Sequence, residues 1–432
     1  MEYLSRMILV LTYHTCIRGE NMESLKELFK IGMGPSSSHT MGPSAAAKDF
    51  KERTTCQTAQ YKVTLYGSLA ATGKGHLTDS AILQVFGKEA THIDWKPDIT
   101  LSHHPNAMKF ESFTDQGKPL CSGYYFSIGG GSIEGPFDHD FPASDTVAET
   151  KSLYPYATMR EIVPYLEDKH LSYFDYVIDN DEEDLYSYLQ HVWSVMEDAI
   201  DRGMKATGFL PGPLHLKRKA ASFAQNREKF HNILGHISEP FPYALAVSEE
   251  NASGGVVVTA PTCGSCGILP AVLKLFQEKY QFSENRIIRA LAVGGLFGNI
   301  VKTNGSISGA AVGCQGEVGV ACAMAAASAT YLLGGSLRQI EAAAEIGLEH
   351  HLGLTCDPVL GLVQVPCIER NAIATTRALE AASYALLSDG IHIINYDEVI
   401  KTMVQTGHDL NSNYRETACG GLAKYYQLCA AI

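Results

Sequence analysis

The chain has 432 residues, of which 45% are hydrophobic and 19% charged, a composition typical of a globular protein with two or three domains of roughly 150 residues each. The net charge of −13 and the lack of a basic run exclude nucleic acid as a partner. No stretch approaches the roughly 18 consecutive apolar residues of a membrane span, so we expect no membrane contact and a cytoplasmic protein. Residues 1–21 are an N-terminal extension that fits poorly with the rest, and Met22 is an alternative start.

Residues 22–156 alternate strand patterns with glycine-rich turns, which predicts an α/β domain. Within residues 61–66, Val63 and Leu65 share one face, the period-two pattern of a half-buried strand. Residues 124–128 are a second candidate strand and end at the glycines 129–131. Such glycines let the backbone approach a ligand closely, although the triplet also fits a mobile turn.

The motif Gly34-Pro-Ser-Ser-Ser-His-Thr-Met-Gly-Pro43 precedes a predicted helix at residues 44–50. Hydroxyl and backbone N–H groups at a helix entrance form a natural site for a carboxylate or a phosphate. His39 adjoins them and titrates near neutrality, so it is a candidate general acid or base. Composition alone slightly favours a serine-rich turn with an incidental histidine.

The character of the sequence changes near residue 150, and we predict a junction at 157–180. Thr158 and Glu161 have the spacing of a capping box that opens a helix. The acidic run at 179–184 fits a helix N-terminus or a solvated linker.

Residues 181–432 are predicted to form a mostly α-helical domain. Apolar residues from Leu185 to Ile200 recur at spacings of three and four, which indicates an amphipathic helix. Residues 318–333 and 340–348 are small and apolar, as in helices buried on most sides. The predicted fold class is therefore α+β, with an N-terminal α/β domain followed by a helical one.

The chain contains eleven cysteines, and three of them lie in glycine- or proline-bearing motifs. These motifs are Gly313-Cys-Gln-Gly-Glu317, Thr355-Cys-Asp-Pro358 and Val365-Pro-Cys-Ile-Glu-Arg370. Their long, unequal gaps match neither a ferredoxin run nor a zinc site with paired CxxC motifs. Spacing alone favours buried free thiols.

Together with the motif at 34–43, these cysteine motifs closely resemble those of the bacterial iron–sulfur L-serine dehydratases, in their single-chain form. The resemblance runs from about Met22 to the C-terminus. It implies an enzyme that converts L-serine to pyruvate and ammonia with a [4Fe–4S] cluster and without pyridoxal phosphate. It also implies a homodimer, a substrate-binding α/β domain and a cluster-binding helical domain.

The resemblance further implies that Cys314, Cys356 and Cys367 hold the cluster. Three thiolates leave one iron open, and an open iron is a Lewis acid that can bind the serine hydroxyl and make it a better leaving group. A base then removes the Cα proton as the β-hydroxyl leaves as water, and the resulting aminoacrylate tautomerises to an imine, which hydrolyses to pyruvate and ammonia. The site is expected between the two domains, as is common for such clefts.

Candidate residues for substrate contact follow from the same resemblance. His39 is the candidate base or orienting group, and His104 is a second catalytic candidate. The candidate substrate-binding residues are Ser37, Ser38, Thr40, Asn106, Ser127 and Gly129.

Further cysteines leave alternatives open. In the family a C-terminal cysteine can occupy the open iron, which makes Cys429 a candidate fourth ligand, although a frayed tail is the commoner fate of chain ends. Cys419 is the weaker candidate. Cys263 and Cys266 form a CxxC where the family usually has Ala-Pro-Thr-Asn-Gly-Ala, and they fit plain packing, a redox pair or a zinc site.

Three competing functions are considered. A related lyase would act on L-threonine or L-cysteine, since one methyl group discriminates by only about 1–3 kcal/mol. A pyridoxal-phosphate enzyme needs a Schiff-base lysine and a phosphate cup, which Lys302-Thr-Asn-Gly-Ser306 offers superficially. A non-catalytic amino-acid sensor would have no use for the three cluster cysteines.

Overall fold

The computed structural model describes residues 22–54, 58–138, 152–227, 229–230, 233–418 and 420–430. The predicted α+β class is confirmed, with a sheet in the N-terminal region and mostly helices after it. The extension at 1–21 lies outside the described residues.

A five-stranded sheet organises the N-terminal region, in the order β3-β2-β4-β5-β6. Strands β2 and β3 are parallel, and the other neighbours are antiparallel. The strands at 61–66 and 124–128 are confirmed within β2 and β5. The strands are β1 Ile31–Met33, β2 Gln60–Tyr66, β3 Thr91–Lys96, β4 Ala107–Phe113, β5 Pro119–Gly129, β6 Ser132–Phe137 and β7 Val256–Val258.

Three helices belong to this sheet region: α1 Gly42–Arg53, α2 Gly67–Thr72 and α3 Thr78–Phe86. Helix α1 confirms the helix expected at 44–50. Its Phe50 is buried against the rings of Phe86, Phe110 and Tyr125, at centroid distances between 5.5 and 6.4 Å. This aromatic cluster fixes α1 on the sheet, and with it the turn that precedes the helix.

The later part of the chain is a helical assembly around one buried helix. The helices are α4 Met159–Lys169, α5 Tyr173–Asn180, α6 Leu185–Lys205, α7 Ala220–Arg227, α8 Ile233–Ile237, α9 Phe241–Ala252, α10 Ile268–Lys279, α11 Glu284–Asn304, α12 Gly309–Val312, α13 Val318–Leu332, α14 Leu337–Glu349, α15 Cys367–Leu387, α16 Tyr396–Asp409 and α17 Gly421–Ala430.

Helix α13 is the centre of this assembly and packs against α11, α14 and α15. Nearly all its residues are buried, which explains its alanine-rich sequence. Gly294 of α11 permits the close approach, because a Cβ there would lie 2.4 Å from Ser328 Oγ. The helices predicted at 185–200, 318–333 and 340–348 are confirmed as α6, α13 and α14.

The capping box predicted at Thr158 is wrong, although the helix it was meant to open is present. The Thr158 hydroxyl donates to Glu161 Oε2 at 2.6 Å and caps no backbone group. The backbone N–H groups of Met159 and Arg160 donate instead to Asp397, at 2.9 and 3.0 Å. A residue far along the chain therefore supplies the cap.

The acidic run at 179–184 forms the turn between α5 and α6. Asp181 accepts hydrogen bonds from the Leu25 N–H at 2.9 Å and from the Ser24 hydroxyl. Residues 22–29 and much of 154–177 share one hydrophobic core with the helical assembly, while buried side chains of the sheet region, among them Phe50, Val63 and Phe110, form a second core. The domain boundaries at 22–156, 157–180 and 181–432 stay a prediction.

Strand β1 joins the two regions by pairing antiparallel with β7, with Ile31 opposite Val258. Immediately after it, the Gly34 N–H donates to the Gly255 carbonyl at 3.0 Å. The Asn251 side chain donates to the Pro35 carbonyl at 2.9 Å. These contacts place the serine-rich segment against the helical assembly.

Within the described residues, no single helix is both long and apolar enough to cross a membrane. One bent pair, Gly309–Gln315 with Val318–Leu332, meets the length and composition criteria only when taken together.

Candidate active site

The serine-rich segment forms a single wide turn, Ser37–Met41, that leads directly into α1. Ser36 caps it, because its hydroxyl accepts a hydrogen bond from the His39 N–H at 3.1 Å. The Thr40 hydroxyl donates to the His76 carbonyl at 2.7 Å and accepts from the Ser36 N–H at 3.1 Å. Ser37, Ser38, His39 and Thr40 are all buried.

The His39 ring is fully buried between hydroxyl groups. Its Nδ1 lies 2.8 Å from Ser38 Oγ, and its Nε2 lies 3.1 Å from Ser68 Oγ. Burial lowers the pKa of His39 to about 4, because desolvation disfavours the imidazolium. The ring is therefore neutral near pH 7 and can accept a proton.

The three motif cysteines come from separate elements and meet in one cavity. Cys314 lies in the tight turn before α13, Cys356 lies in a loop, and Cys367 begins α15. The Sγ atoms of Cys314 and Cys356 each lie 3.7 Å from Glu317 Oε2. The possible metal-binding atoms of Cys314, Glu317 and Cys356 all lie within 4.8 Å of one another, whereas Cys367 is not part of this group.

The electrostatics of the thiols fit a cationic group. A hydrogen bond with Cys314, followed by burial, raises the pKa of Cys356 well above its ordinary value. Burial, followed by the charge of Cys314, raises the pKa of Cys367. A thiol whose ionisation is disfavoured by burial and by a neighbouring thiol becomes a good ligand once a metal neutralises its charge. The donor set therefore fits an iron–sulfur cluster.

The cavity joins the serine-rich turn to the cysteines. Its wall combines residues from the first third of the chain with residues from the last third and with Gly264. The lining residues are Pro35, Ser36, Ser37, His76, Gly264, Cys314, Glu317, Val318, Cys356, Pro358, Val363, Cys367 and Glu416.

Of the predicted turn residues only Ser37 belongs to this lining, and Ser38, His39 and Thr40 lie behind it. The other predicted site residues lie beside the turn and are not part of the lining either. His104 Nδ1 accepts a hydrogen bond from the Asn106 N–H at 3.1 Å, and burial lowers the pKa of His104 to about 4. The side-chain amide of Asn106 and the hydroxyl of Ser127 are buried, and neither has a hydrogen-bond partner in the described part of the chain. Gly129 has a φ of 109°, which favours glycine.

Two acidic residues of the cavity were missed by sequence reasoning. Burial and the nearby Glu416 carboxylate raise the pKa of Glu317 to about 7, and burial raises the pKa of Glu416 to about 7. Thr262 donates to Glu317 Oε1 at 2.8 Å. The position of Glu317 within its cysteine motif was a usable signal, whereas Glu416 had none.

The other cysteines for which the sequence left alternatives open divide into two groups. Cys263 and Cys266 are buried free thiols in a hydrophobic cluster with Met41, and burial raises the pKa of both. The Cys429 backbone belongs to α17, but its side chain and all of Cys419 lie outside the described residues. The ligand role of Cys429 therefore stays a prediction.

The burial of His39 predicts a pH dependence of stability. Its pKa is about 4 in the folded chain and near 6.5 when exposed. Between about pH 7 and pH 5 the unfolded chain gains a proton here and the folded chain does not, so His39 lowers the free energy of unfolding by about 2 kcal/mol. Anaerobic urea unfolding should show a smaller acid-induced loss for His39→Asn than for wild type. His92→Asn, at an exposed site, should match wild type. An equal loss in His39→Asn and wild type would contradict the burial effect.

Comparison with known proteins places the chain in a family. The family model described as serine dehydratase alpha chain matches residues 45–423. The chain is 40% identical to an L-serine dehydratase of Streptomyces coelicolor over 93% of this chain and 98% of that protein. It is 41% identical to L-serine dehydratase 1 of Escherichia coli, over 93% and 99%. An L-serine dehydratase of Helicobacter pylori is 36% identical, over 93% and 98%. The chain belongs to the serine dehydratase family.

Proposed function

We propose that this chain is an L-serine ammonia-lyase, which converts L-serine to pyruvate and ammonia. The observation that carries the proposal is the cavity in which the three motif cysteines face the serine-rich turn. The relatives named L-serine dehydratase, at about 40% identity over nearly the whole chain, support the same activity.

We further propose that Cys314, Cys356 and Cys367 hold a [4Fe–4S] cluster. Their convergence in one cavity supports this, and so do the raised pKa values of Cys356 and Cys367. When bound, a cluster with three thiolate ligands supplies a Lewis-acidic iron for the substrate hydroxyl.

The pyridoxal-phosphate alternative is disfavoured by the position of its candidate lysine. Lys302 Nζ donates to Glu23 Oε2 at 2.7 Å and to the Glu27 carbonyl at 3.0 Å. This contact attaches α11 to the N-terminal segment, so the amine is engaged away from the cavity.

The serine-rich turn is assigned to the substrate carboxylate. Ser36 and Ser37 line the cavity, and hydroxyl and N–H groups at the start of a helix favour an anion. His39 lies behind them and is neutral at pH 7, so it can take up the Cα proton. His104, Asn106 and Ser127 form a second layer beside the turn.

The homodimer, the cytoplasmic location, the oxygen sensitivity and a role in serine degradation for gluconeogenesis rest on the family resemblance. An apolar surface near the end of α15 supports self-association. It contains Leu387, Ile391 and Ile393, which are 91%, 74% and 98% exposed. Contiguous exposed apolar residues commonly mark protein interfaces.

The cluster proposal is tested by anaerobic purification. We expect about four iron and four sulfide per chain, with activity lost in air. Cys314→Ala, Cys356→Ala or Cys367→Ala should each abolish the visible chromophore, because a thiolate ligand is lost. Cys121→Ala is the matched control, since this thiol is exposed on the sheet and should leave the chromophore intact. A colourless protein with full dehydratase activity would contradict the assignment.

The role of His39 is tested by His39→Ala. Loss of the base should reduce turnover by roughly 100-fold or more while the chromophore persists. Cα-deuterated serine should show a primary isotope effect in the wild type if removal of this proton limits turnover. The surface variant His92→Ala serves as control. Near-wild-type turnover in His39→Ala would assign the base to His104 or to another group.

A further inference from the structure

We propose that Glu416 binds the ammonium group of the substrate and thereby selects α-amino acids over carboxylic acids that lack this group. This inference rests on the proposed function and extends it to a residue that the sequence motifs did not single out.

The Glu416 carboxylate lies where the two halves of the cavity meet. It lines the cavity together with Ser37 and the three cysteines. Its Oε1 accepts a hydrogen bond from the Ser38 hydroxyl at 3.5 Å and lies 3.5 Å from His39 Nδ1. The side chain is only 13% exposed. A charged group on the substrate would therefore reach it next to both the candidate base and the carboxylate-binding turn.

Glu416 has no cationic partner among the described residues. In the part of the chain that the structure describes, its one ionic neighbour is His39, and burial keeps that imidazole neutral near pH 7. No lysine or arginine belongs to the described lining of the cavity. A buried carboxylate without a counter-ion costs free energy, and a bound cation would remove that cost. The ammonium group of an α-amino acid supplies such a cation.

The other acidic residue of the cavity is already engaged. Glu317 accepts a hydrogen bond from Thr262 and contacts the thiols of Cys314 and Cys356. Glu416 makes no such contact with the thiols, so it is the carboxylate that remains available to substrate.

The chain on both sides of Glu416 is hydrogen-bonded to the loop that carries Cys356. The Cys356 N–H donates to the Tyr414 carbonyl at 2.7 Å, and the Thr417 N–H donates to the Cys356 carbonyl at 3.2 Å. The Leu422 N–H donates to Asp357 Oδ2 at 2.8 Å. Glu416 itself has a φ of 47°, a left-handed conformation that non-glycine residues rarely adopt outside specialised sites. These contacts fix the carboxylate relative to the thiols, as substrate orientation requires.

The test compares two unreactive ligands that differ only in the ammonium group, L-alanine and propionate. Binding to the anaerobic holoenzyme is measured by calorimetry and by inhibition of L-serine turnover. Wild type should prefer L-alanine by about 10- to 100-fold, the range expected for a charged hydrogen bond. Glu416→Gln should lose this preference because only the binding of L-alanine becomes weaker, and KM for L-serine should rise in parallel. Glu416→Asp should restore part of it.

Glu380→Gln is the matched control, because this exposed glutamate pairs with Arg377 on the surface of α15 and should behave as wild type. Equal weakening of both ligands in Glu416→Gln, or no weakening, overturns the inference. If Glu416→Gln loses the cluster chromophore, the inference is tested on the wild type. Equal affinities of the wild type for L-alanine and propionate would overturn the inference. Failure of wild type to form pyruvate contradicts the proposed function instead, and calorimetry still decides the role of Glu416.

Discussion

The short antiparallel pairing of Ile31–Met33 with Val256–Val258 is the contact on which the rest of the site depends. It brings the end of the N-terminal segment to the helical assembly, so that the turn at Ser37–Met41 faces the cysteines. Asn251 extends this attachment by one hydrogen bond to the Pro35 carbonyl. Neither half contains a complete site, because the hydroxyl groups and the thiols lie on opposite walls.

The cavity and the turn beside it bring together groups whose ionised forms are disfavoured, mainly by burial. His39 is neutral because its pKa is lowered, while the thiols of Cys356 and Cys367 and the carboxyl groups of Glu317 and Glu416 have raised pKa values. Each group would ionise readily once an opposite charge arrived. This pattern is the one expected of a site that receives a metal cluster and a zwitterionic substrate, since perturbed pKa values concentrate at functional sites.

Local periodicity predicted the elements whose residues are neighbours in sequence, such as the strand around Val63 and the helix from Leu185. It failed at Thr158, where the actual cap, Asp397, is 238 residues away from Met159. Glu416 was missed for the same reason: it is 378 residues from Ser38, and no local pattern marks it. The spacing of the cysteines did not indicate which of them lie close together in space, so their convergence was expected only through the family resemblance.

The central claim is that L-serine binds at an open iron of a cluster held by these cysteines. Mössbauer spectroscopy of protein enriched in the iron isotope, with and without L-serine under anaerobic conditions, tests it most directly. We expect L-serine to change the signal of one iron among about four, because one iron has no permanent thiolate ligand. A spectrum that L-serine leaves unchanged while pyruvate is being formed would contradict the account.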